Sequence, residues 1–90
     1  MSNKRELKKK INCTCGDLFA ECIATSLYTG APKKEDVDAI LQLIIRINDD
    51  FVCRVSHPEP GMPAKKYYSA VETDFTKSVI EIIDQIGNLN

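Results

Sequence analysis

Ile40-Leu41-Gln42-Leu43-Ile44-Ile45-Arg46-Ile47 is the stretch on which the fold turns. It sits inside a longer pattern, Val37, Leu41, Ile44, Phe51 and Val55, whose steps of three, four and seven line one face of an α-helix. At 100° per residue, apolar side chains cover an arc of about 200°, from Leu43 and Ile47 round to Ile45. A helix in a soluble bundle needs a stripe only somewhat wider than about 100°. The surplus predicts either a central helix touching two neighbours or a face covered by another chain.

Working outward, the same spacing recurs on both sides. Leu7, Ile11, Cys15, Leu18 and Cys22 form one stripe, widened after Gly16 by Phe19, Ile23 and Leu27. Asn3 followed by Glu6 has the form of a capping box and starts this first helix. Thr29-Gly30 before Pro32 ends it, with the glycine able to take a left-handed conformation. Gly16 weakens the helix interior and marks a place for a kink or break. Pro32 suits the first turn of the second helix, and Glu35, Asp36 and Asp38 complement the positive end of its dipole. His57 precedes Pro58, which pushes it out of the helical region and stops the helix near Ser56.

Pro58-Glu59-Pro60-Gly61-Met62-Pro63 is a turn-rich loop. Tyr68, Val71, Phe75, Ile82 and Ile86 then define a third helix closing near Gly87; it begins either at Pro63 or, with Ser69 and Glu72 as a capping box, further in. Helices over roughly residues 3–29, 32–56 and 63–87 each span about 35–40 Å. Matched lengths and short connections predict an all-α protein, three long helices in an antiparallel up-down-up bundle, with residues 1–90 as one helical domain.

Composition narrows the function classes. A 90-residue chain with 43% hydrophobic and 28% charged residues is that of an ordinary globular domain, not a disordered or membrane-spanning one. The net charge of −1 supplies no bulk attraction for nucleic acid or membrane. No apolar stretch of signal-peptide length follows the N-terminus, so a cytoplasmic location and four reduced thiols are expected.

Cys13, Cys15, Cys53 and His57 are the only cluster of soft-metal ligand types, and an up-down bundle places the start of helix one beside the end of helix two. Three thiolates and an imidazole suit tetrahedral zinc. Cysteines two apart on an unbroken helix point about 200° from one another, however, and the spacing lacks the CxxC form of structural zinc sites. Cys53 and His57 could serve as nucleophile and base, but no orienting group or oxyanion donor accompanies them. Glycine-rich phosphate loops, HExxH and GxSxG are absent, and the acidic residues read as solvated faces. No cofactor, metal or catalytic group is expected.

One charge pattern opposes helix physics. Lys4, Arg5, Lys8, Lys9 and Lys10 crowd the first turns of helix one, where the dipole disfavours cations, and Lys65 and Lys66 repeat this in helix three. With Arg54 they would form a basic pole, with Tyr67 and Tyr68 nearby as stacking faces.

The leading expectation is a cytoplasmic homodimer acting as an interaction module, for itself or an unidentified protein partner, with Ile23, Ile40, Leu43 and Ile47 at the contact. The alternative is a nucleic-acid or phosphate-binding accessory protein using Lys8, Lys9, Lys10, Arg54, Lys65 and Lys66. A zinc- or thiol-dependent protein ranks third.

Overall fold

The computed structural model describes residues 3–28, 30 and 32–89. They form three α-helices: α1 over Lys4–Tyr28, α2 over Lys34–Ser56 and α3 over Ala64–Gly87. The three pack as a bundle about 50 Å long and 16–18 Å across.

The helix ends follow from local chemistry. The Glu6 backbone N–H donates to Asn3 Oδ1 at 2.8 Å, satisfying one of the orphan donors of the first turn, so the expected cap on α1 is present. α1 runs unbroken through Gly16, without the break that the glycine allows. Gly30 has φ +27°, a left-handed value that favours glycine; Thr29 lies outside the described residues.

α2 starts at Lys34, two residues later than the Pro32 pattern suggests. Lys33 takes the extended N-cap position (φ −60°, ψ 131°) with no side-chain cap, and its carbonyl accepts from the Asp36 and Val37 N–H groups instead. The acidic first turn, Glu35 and Asp36, compensates the dipole where no cap exists. His57 leaves the helix at φ −127°, ψ 70°, as its position before Pro58 requires.

Glu59-Pro60-Gly61-Met62 then turns the chain. The Met62 N–H donates to the Glu59 carbonyl, and Gly61 has φ +86°, the combination of a type II turn with proline and glycine at its two central positions. Pro63 is the N-cap of α3, and Ser69 lies well inside the helix rather than capping it.

The core is one contiguous cluster. α1 contributes Leu7, Ile11, Cys15, Leu18 and Cys22, the full stripe that its spacing predicts. α3 contributes Val71, Phe75, Ile82 and Ile86, followed by Leu89 just beyond the helix. α2 differs from expectation. Its buried residues are Ile40, Ile44, Phe51 and Val55, whereas Val37 and Leu41 pack only partly. Ile40, expected at a contact between chains, is 5% exposed and belongs to the core. The buried four fall within about 60° of one another and Leu41 lies beyond them, so the core selects a narrower stripe than the apolar arc offers.

Side chains lock the last turns of α2 to the middle of α3. Phe51 and Phe75 meet edge to face with centroids 5.3 Å apart. The Arg54 guanidinium stands 5.0 Å over the Phe51 ring and donates to Asp74 Oδ2 at 2.9 Å. Lys10 of α1 pairs with Glu72 of α3. Toward the opposite end, Asp36, Ala39 and Ile40 share a shallow depression with Gln85, Asn88 and Leu89.

Ile82, fully buried, and Ile80, 61% exposed, test this assignment of faces. Ile82→Ala should cost about 2–5 kcal/mol in denaturant unfolding. Ile80→Ala should stay within about 0.5 kcal/mol of the parent. Equal losses would show that α3 is turned differently.

Candidate functional site

The sequence surplus of apolar surface reappears as specific exposed side chains. Of the residues expected at a contact, Leu43 and Ile47 are half-buried against the core, while Ile23 remains exposed. Ile23 and Leu27 project from the second half of α1, and Ile45 from the middle of α2. Beside Ile45 lies a groove of about 320 Å³ lined by Asn12, Cys15, Gly16 and Phe19 of α1 and Ile44, Ile45 and Asn48 of α2. Gly16 forms part of its floor. A methyl group added to Gly16 would meet no neighbouring atom within 4 Å. Glycine there costs the helix about 1 kcal/mol relative to alanine, and packing within the chain does not require it.

Ile80 and Ile83 of α3 are also exposed. Their spacing of three marks a second apolar strip, out of phase with the buried Ile82 and Ile86. That phase difference was available in the sequence, but the core stripe masks it.

The basic residues do not gather into one pocket. Lys4, Arg5, Lys8 and Lys9, with Asn12 and Cys13, line an open depression along α1. Lys65 and Lys66 line another on α3 with Pro63, Ser69, Ala70 and Thr73. Lys10 and Arg54 are committed to Glu72 and Asp74, and their charge is balanced within the chain. The pole therefore offers two separate basic patches rather than one cradle. Tyr67, a candidate stacking face, is tied into the fold. Its hydroxyl donates to the Arg54 carbonyl at 2.9 Å, satisfying a C-terminal carbonyl of α2.

The cysteines divide by burial. Cys13 and Cys53 are exposed, Cys15 and Cys22 buried. Because α1 is unbroken, Cys13 and Cys15 point apart, one to solvent and one to the core. His57 is exposed at the end of α2, where its backbone N–H donates to the Cys53 carbonyl. Among the described residues no three His, Cys, Asp or Glu side chains converge as metal ligands. No described helix is long and apolar enough to cross a membrane.

No protein-family model, curated protein or solved structure matches the chain.

Burial pushes the Cys15 and Cys22 thiols above their ordinary range. Iodoacetamide should therefore label Cys13 and Cys53 rapidly in the native protein, and Cys15 and Cys22 only on unfolding, as read by mass spectrometry. The folded state keeps these two thiol protons at a pH where the unfolded chain releases them. Their contribution to stability is present below about pH 8.5 and is lost as pH rises further. Rapid labelling of all four cysteines would contradict the burial.

Proposed function

We propose that the protein is a small cytoplasmic self-association module, a homodimer of antiparallel up-down-up bundles that works by presenting a surface rather than by catalysis. The observation that carries this is the exposed apolar face formed by Ile23, Leu27 and Ile45 beside the groove at Gly16. Covering it would add buried area to a bundle only 16–18 Å thick, and small domains gain most from such additions. The antiparallel course is supported by the contact of Arg54 near the end of α2 with Tyr67 in the first turn of α3, and of Phe51, earlier in α2, with Phe75 at the middle of α3. The start of α2 likewise meets the end of α3.

Sedimentation equilibrium at micromolar concentration should give about twice the 10.1 kDa chain mass. Ile45→Glu should shift the protein toward a folded monomer by placing an unpaired charge in the contact. A wild-type monomer across that range would overturn the proposal.

A second reading, polyanion binding, is favoured by the open basic depression on α1. Such binding would weaken with salt in proportion to the phosphates neutralised. The two patches are separate and the net charge is −1, so at about 150 mM salt we expect no affinity for RNA or DNA tighter than about 10⁻⁴–10⁻⁶ M. Submicromolar binding, lost in Lys4→Glu/Lys8→Glu, would reverse the order of the two readings.

A further inference from the structure

Gly16 is the midpoint of α1, which runs from Lys4 to Tyr28. At 100° per residue, Arg5, Lys9, Gly16, Ile23 and Leu27 fall within about 40° of one another on its outer face. The strip is two-ended about the glycine. Lys9 and Ile23 each lie seven positions from Gly16, and Arg5 and Leu27 each lie eleven. One arm is cationic with long methylene stems, and the other is apolar and exposed.

We propose that a second copy of the chain docks on this strip antiparallel, α1 against α1, with the two Gly16 residues at closest approach. The proposal rests on the self-association reading and specifies its geometry. A two-fold axis through Gly16 pairs the strip with itself, as an isologous contact requires. It lays the aliphatic stems of Lys9 and Arg5 over the partner copy's Ile23 and Leu27, a covering that long basic side chains perform with their charged ends still in water.

Charge selects the orientation. α1 has no basic residue after Lys10, and at the adjoining start of α2 the cations Lys33 and Lys34 are outnumbered by Glu35, Asp36 and Asp38. Antiparallel copies keep the two basic arms apart and lay each over the other's uncharged arm; parallel copies would stack lysine against lysine. The absent side chain at Gly16 lets the two helix backbones approach closely, at the shallow crossing of about 20° usual in bundles. Phe19 and Ile45, flanking the groove, would close over the crossing.

Two measurements test the geometry. In a Cys13→Ser/Cys53→Ser background, chains carrying Lys9→Cys and chains carrying Ile23→Cys are mixed and then oxidised. The 9–23 disulfide should predominate by mass spectrometry. Predominance of 9–9 and 23–23 pairs, or no cross-link, would overturn the proposal. Gly16→Leu should weaken dimerisation by about tenfold or more in sedimentation equilibrium. Its helical circular dichroism should be retained, because a Cβ at this position meets no atom within 4 Å and leucine favours the helix more than glycine does. A wild-type dimer indifferent to Gly16→Leu would remove this geometry and leave self-association standing; a wild-type monomer would remove both.

Discussion

The constraint on which the rest of this structure depends is its thickness. Three helices in a body 16–18 Å across can enclose only one column of side chains, and that column is filled by Leu, Ile, Val, Phe and Cys with no buried polar or charged residue among those described. A catalytic acid or base is usually tuned by an interior that desolvates it or holds a counter-charge against it. Here the thiols of Cys15 and Cys22 are displaced upward, and the cause is burial in the core itself. The fold therefore directs attention to its surfaces.

The loop end of the bundle shows how so thin a structure fixes its helices. The last carbonyls of α2 lack partners within their own helix. The Tyr67 hydroxyl supplies one to Arg54, and the Arg54 side chain in turn spans Phe51 and Asp74. One residue thus joins a helix terminus, an aromatic pair and the neighbouring helix. The basic residues of this pole are then divided between structure and solvent: Arg54 and Lys10 act within the fold, whereas Lys9 and Lys65 line outer faces.

How much was legible depended on how narrowly each pattern was drawn. α1 has one strict stripe, and Leu7, Ile11, Cys15, Leu18 and Cys22 are all buried as spaced. Pro58 stops α2 where backbone sterics require. α2 was harder because an apolar arc of about 200° contains more than one stripe; only packing against two neighbours shows that Ile40 is interior and Ile45 outward. Leu89 escaped because it follows the helix that periodicity describes, yet it is buried. The pairing of Lys10 with Glu72, 62 residues apart, has no local signal. Nor was the groove at Gly16 visible before α2 was set beside it.

A natural sequence generally agrees with itself at every level, and the places where it disagrees are where function is sought. α1 disagrees twice. Its first turns carry cations against the helix dipole, and its midpoint carries a glycine that neither its backbone conformation nor its surroundings demand. Both features lower the stability of the isolated helix, and neither is compensated by core packing, since Arg5, Lys9 and Gly16 all face outward. A purely structural account must treat them as unrelated local losses. The proposed antiparallel α1–α1 contact would give each a compensation of a different kind: the partner copy's apolar residues for the stems of the cations, and a close backbone approach at the glycine. The same contact covers Ile23 and Leu27, which the bundle leaves in water. One proposed interface would then answer for the charge pattern, the glycine and the apolar residues together, whereas anion binding addresses the lysines alone.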